Sequence, residues 1–140
     1  MSDPNIGFFK EIEHTADLAL RCGGPDLESL FRSAARGMYH LMGAAAQDLD
    51  TEVCRKVHLA ADDVESLLVD WLGELAYLAE SRYLVFPEMT FETLSANRLE
   101  AMLVGGRTSH IDTLVKAVTY HRLRVERSEE GFAATVVFDV

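Results

Sequence analysis

Apolar residues recur at three- and four-residue intervals in two stretches of the chain, the spacing of an amphipathic helix. In the first stretch the stripe is Leu27, Leu30, Phe31, Ala34, Ala35, Met38, Leu41 and Met42. Gly24-Pro25-Asp26 opens it, with proline suited to the first turn and Asp26 and Glu28 favourable at the positive end of the helix dipole. Gly43 supplies the stop. In the second stretch the stripe is Val64, Leu67, Leu68, Trp71, Leu72, Leu75, Leu78 and Ala79, and Asp62 with Glu65 three positions later reads as a capping-box-like start. Each helix has one wide apolar face, which predicts that both lie on a sheet.

The remaining segments alternate with the period of strands. Phe8 to Thr15 and Asp17 to Cys22 read as two short successive strands, and Val53, Arg55, Val57 and Leu59 alternate with Cys54, Lys56, His58 and Ala60. After the second helix come candidates at Tyr83–Phe86, Glu88–Leu94 and Arg98–Gly105, then two longer ones at about Val115–Arg127 and Phe132–Val140. Ser128-Glu129-Glu130-Gly131 between the last two is a hairpin turn signal. The order is ββαβα followed by several strands, without strict βα alternation. That argues for an α+β fold, two amphipathic helices packed on a mainly antiparallel sheet, over a doubly wound parallel one.

Composition narrows this further. With 140 residues, 49% apolar and 26% charged, the chain reads as one globular domain spanning 1–140. Its 13 basic and 23 acidic side chains give a net charge of −10. That works against binding a phosphate backbone, so no direct nucleic-acid binding is expected. The charge is uneven: residues 1–100 carry 8 basic and 18 acidic groups, whereas residues 101–140 carry 5 of each. Cys22 and Cys54 form no CxxC motif and read as small buried hydrophobes in a reducing compartment. The first residues lack the basic and apolar regions of a signal peptide, and no apolar run reaches the roughly 20 residues of a membrane span. A cytoplasmic protein with no membrane partner is the expectation.

Four places could carry chemistry. His14-Thr15-Ala16-Asp17 offers an imidazole and a carboxylate at a turn, a pattern that an Asx-type turn also explains. The chain ends on Asp139-Val140, so a side-chain carboxylate and an α-carboxylate fall at one sheet edge. Were Asp17 to join them, three hard oxygen donors would converge, a set that favours Ca²⁺ or Mg²⁺. Lys116-Ala117-Val118-Thr119-Tyr120-His121 is unusually rich in functional side chains for a short strand, and could contact phosphates or a partner. Finally, Ser66, Asp70, Glu74 and Tyr77 form a polar stripe on the second helix, which a solvated face would equally display. There is no Walker loop, GxSxG elbow, HExxH or RNA-reading aromatic motif.

Taken in order, these segments resemble the archease family. The matching pieces are Glu13-His14-Thr15-Ala16-Asp17 with Leu18, the Leu27–Met42 helix, the stretch from Leu67 to Leu75, Val115 to His121, and the terminal Val136-Val137-Phe138-Asp139-Val140. The resemblance implies a non-catalytic activator of the RtcB-type RNA ligase, promoting its guanylylation and multiple turnover in tRNA splicing or RNA repair. It also implies a divalent-metal site, with Ca²⁺ favoured over Mg²⁺, on Asp17, Asp139 and Val140. His14, Lys116, Tyr120 and His121 would then be site-adjacent or partner-contacting. The rival reading is a small metal-dependent hydrolase built around His14, Asp17 and His121.

Overall fold

The computed structural model describes residues 7–12 and 17–140. Along the chain these form β1 (Phe8–Ile12), β2 (Leu18–Gly24), α1 (Leu27–Met42), β3 (Asp50–Ala60), α2 (Val64–Arg82), β4 (Leu84–Leu94), β5 (Arg98–Arg107), β6 (Ala117–Thr119), β7 (Glu126–Ser128) and β8 (Gly131–Asp139). The fold is α+β, in the expected order ββαβα followed by strands. The strands divide into two antiparallel sheets. One runs β1-β2-β8-β6, with β7 also paired to β8, and the other runs β3-β5-β4.

Both helices start and stop for local reasons. Asp26 caps α1, its carboxylate accepting from the Ser29 amide at 2.8 Å while the Ser29 hydroxyl accepts from the Asp26 amide. Pro25 therefore precedes the cap and is not in the first turn, which is the position its missing N–H tolerates equally well. Gly43 closes α1 in the left-handed conformation at φ 61°, as its lack of a side chain permits. The cap of α2 is Asp63, not Asp62, because the Asp63 carboxylate takes the Ser66 amide at 2.7 Å. Glu65 is engaged elsewhere.

A single apolar cluster joins the helices to both sheets. α1 packs on β1 and β2, and α2 touches α1, β3, β4, β5 and β6. From the first sheet, Leu20, Cys22, Ala134, Val136 and Phe138 enter the cluster, the alternate residues of β2 and β8. Gly37 sets the helix-to-sheet distance, since a Cβ there would lie 2.6 Å from the Leu20 side chain. Trp71, fully buried, donates its indole N–H to the Phe31 carbonyl at 3.0 Å and so ties α2 to α1. Among the described residues no buried side-chain polar atom lacks a partner.

Three strand expectations change. Tyr83 is the left-handed cap of α2, and the two segments predicted on either side of Pro87 are one strand with register shifts. The Phe86 amide at that irregularity donates to the Tyr39 hydroxyl at 3.2 Å, so the break in the ladder is satisfied by a side chain. The long strand predicted over Val115–Arg127 is two short strands, β6 and β7, separated by a turn. Its burial phase explains the break: Val118 packs on the core from an even position, whereas Leu123 and Val125 do so from odd ones. A regular strand without a bulge cannot change faces in that way.

Cys54 is a further correction. It sits on the solvent-facing alternation of β3 and is exposed, while Cys22 is buried and its thiol donates to the Ala134 carbonyl at 3.6 Å. Burial pushes the Cys22 thiol up to about 12, which leaves it protonated and inert at neutral pH.

Candidate metal and partner-contact edge

The candidate site is an end of the first sheet. Strand β8 lies between β2 and β6, with Leu18 opposite Phe138, Val118 also opposite Phe138, and Ala117 opposite Asp139. The antiparallel register carries Asp17, one residue before Leu18, to the same end as Asp139, one residue after Phe138. The Lys116 amide donates to the Asp139 carbonyl at 2.8 Å, which pins the start of β6 beside them. Three segments far apart in sequence thus meet at one strand end. Asp17 is half-buried, whereas Lys116, Asp139 and Val140 are exposed.

Like charges on neighbouring strands repel, and a cation or an ammonium group relieves that repulsion. Two carboxylates with a third oxygen donor from Val140 are hard ligands suited to Ca²⁺ or Mg²⁺. Among the described residues, no three His, Cys, Asp or Glu side chains form a metal-binding group. Among the described residues Asp17 and Asp139 are the carboxylates that the register brings to this end, and main-chain oxygen and water would complete any shell. His14 lies outside the described residues.

Tyr120 and His121 leave β6 on the turn that follows. The Leu123 amide donates to the Tyr120 carbonyl at 3.0 Å, and Arg122 takes the left-handed conformation at φ 52°. Tyr120 is 56% exposed, and His121, also exposed, donates its amide to the Thr119 hydroxyl at 3.3 Å. The turn is held from below: Glu65 of α2 accepts the Val125 amide at 2.8 Å, and Leu123 and Val125 pack on the core. This tether was hidden in the sequence, where Glu65 reads as a capping residue. The one signal for it was the change of apolar phase between Val118 and Leu123.

The polar stripe of α2 does not join the edge as a unit. Asp70 and Tyr77 face solvent, Tyr77 at 62% exposure, and Glu74 pairs with Arg55 of β3 at 3.8 Å. Two clefts elsewhere are lined by other residues, one around Arg21, Glu126 and Gly131 and one around Arg36, His40 and Pro87. Neither includes Asp17, Asp139 or His121.

The model of the Archease protein family matches residues 9–140. The chain belongs to the archease family. Protein archease of Methanosarcina acetivorans is 35% identical to it, covering 94% of this chain and 95% of that protein. Protein archease of Archaeoglobus fulgidus is 33% identical, covering 94% and 98%. The solution structure of Methanobacterium thermoautotrophicum protein 1598 superposes with a TM-score of 0.71 at 25% identity, covering 94% of this chain and 98% of that one. The crystal structure of a Thermotoga maritima protein described as an archease, possible chaperone, gives 0.68 at 26% identity, covering 94% and 96%. The archease match spans β2, β6 and β8 together, the strands that build the edge. No helix among the described residues is long and apolar enough to cross a membrane.

Proposed function

We propose that this archease-family chain is a cytoplasmic, non-catalytic activator of an RtcB-type RNA ligase, promoting its guanylylation and repeated turnover in tRNA splicing or RNA repair. Membership of the family supports an accessory role, and the Thermotoga relative's description as a possible chaperone points to a protein partner. The observation that carries the reading is the meeting of Asp17, Lys116 and Asp139 at one strand end, drawn from three separate segments.

In this proposal Asp17, Asp139 and a Val140 oxygen hold a divalent cation, Ca²⁺ before Mg²⁺, and Lys116, Tyr120, His121 and His14 flank it. A bound cation there supplies positive charge that would offset a triphosphate during phosphoryl transfer. The protein's own part is to present that edge. The end of β8 is held between two strands, so the backbone carrying Asp139 is set before the partner arrives, and the main chain of Lys116 is pinned beside it. The acid concentrated in residues 1–100 offers a surface for a basic face of the ligase. No nucleophile is needed from this chain.

The test is formation of the ligase–guanylate adduct with and without this chain, in Ca²⁺, in Mg²⁺ and in chelator. Stimulation that needs the chain and is lost with Asp17→Ala, while calorimetry shows weakened Ca²⁺ binding by that variant, is the expected result. Full stimulation by Asp17→Ala would remove the site from the proposal. Absence of any stimulation by the unaltered chain would remove the function.

A further inference from the structure

The whole-chain charge of −10 conceals a local reversal. From Thr113 to Val125 the sequence holds Lys116, Arg122 and Arg124 and no carboxylate. All three cations are exposed, and none forms an ion pair with another described residue. The turn closed by the Leu123–Tyr120 hydrogen bond carries Tyr120 and Arg122, with Arg124 just after it, and all three are exposed. Its shape is fixed by the Glu65–Val125 hydrogen bond and by the left-handed backbone at Arg122, a conformation that an arginine adopts only where its surroundings enforce it.

The side chains divide sharply. Leu123 and Val125, the aliphatic members, pack inward on the core. What remains outward is cationic guanidinium, the Lys116 ammonium and the Tyr120 ring at 56% exposure. Tyr and Arg also occur at the centres of protein–protein contacts, so what singles this turn out is its unbalanced positive charge, with no carboxylate between Thr113 and Val125. Exposed cations on the same short segment as one open aromatic ring suit a phosphodiester chain carrying an unpaired base that can stack.

We propose that the Tyr120–Arg124 turn, with Lys116, binds single-stranded nucleic acid, the phosphates on Arg122, Arg124 and Lys116 and a base on the Tyr120 ring. Four acidic neighbours bear on it, one of them Asp17, which shares the strand end with Lys116. Glu65 is engaged by the Val125 amide, Glu126 follows the turn, and Asp139 adjoins Lys116. The rest of the chain's negative charge is screened over roughly 8 Å at physiological ionic strength, so the near cations set the local field. The binding asked for here involves no ligase, and it succeeds or fails independently of ligase activation.

The experiment is fluorescence anisotropy of a labelled 12-nucleotide single-stranded RNA with the purified full chain, from 50 to 200 mM salt. The matching DNA strand, the RNA duplex and polyglutamate serve as further arms. Binding is expected with a log–log salt slope of about −2, from three phosphate contacts at roughly −0.7 each. The double variant Arg122→Glu/Arg124→Glu should weaken it at least about ten-fold, with circular dichroism confirming an unchanged fold. Tyr120→Leu should weaken it about five-fold or more, with the salt slope unaltered. Binding of the DNA strand with the same dependence on these variants supports the same chemistry. Absence of RNA binding at 50 mM salt, equal binding by the charge-reversed double variant, equal binding of the duplex, or equal competition by polyglutamate would each overturn the proposal.

Discussion

The helix-facing side of the first sheet and its Asp17–Asp139 edge are made from the same strands by different rules. On the helix side, β2 and β8 contribute Leu20, Cys22, Ala134, Val136 and Phe138, all completely buried, and close packing fixes each position. At the edge, Lys116, Tyr120, Asp139 and Val140 are exposed, and their places follow from backbone pairing. Substitutions on the first side should therefore act on folding, and substitutions at the second on binding. Glu65 is where the two meet: it sits in the first turn of α2, yet its carboxylate holds the turn that carries Tyr120 and Arg122.

The largest expected effect tests the buried side. Trp71→Ala removes a fully buried indole and its hydrogen bond to Phe31, and should cost about 3–5 kcal/mol by urea denaturation. A loss below about 1 kcal/mol would show that the two helices are not locked together at this point. Next comes the joint between the regions. Glu65→Ala leaves the Val125 amide without its acceptor, and should cost about 1 kcal/mol while hydrogen exchange of that amide quickens. Unchanged exchange at Val125 would mean that core packing alone holds the turn.

The smallest effect concerns the start of α2. The hydrogen bond from the Ser66 amide holds the Asp63 carboxyl below its ordinary value of 3.8. A depressed carboxyl stabilises the fold above its unfolded value, and that contribution is lost as pH falls from 3.8 through the lower folded value. Acid titrations of stability should thus show a shallower loss in Asp63→Asn across that window. Identical acid profiles for the two proteins would exclude the cap as a source of pH dependence.

Both helices, their apolar faces and the Gly43 stop were legible in the sequence, because a helix is specified by neighbours three and four residues apart. The hairpin between β7 and β8 was legible for the same local reason, with Gly131 at φ 120° where the turn signal placed it. The exact cap of α2 was not, since Asp62 and Asp63 are chemically alike and only backbone geometry selects between them. The exposure of Cys54 was missed because the general tendency of cysteine to be buried was set above the alternation, which places it on the face of Lys56 and His58.

The sequence by itself determined the α+β class, the family resemblance and the residue types at the edge. Tertiary structure decided which of them meet. Asp17 and Asp139 come to one strand end only because β8 pairs with β2 across more than a hundred residues, as the Cys22–Ala134 bond at a separation of 112 illustrates. The same long-range packing broke the predicted Val115–Arg127 strand: Val118 and Leu123 both reach the core, and a turn between them brings both phases inward. Local periodicity carries no information about the first event, because strand pairing depends on partners far away in the chain, and about the second it offers only the change of apolar phase between Val118 and Leu123.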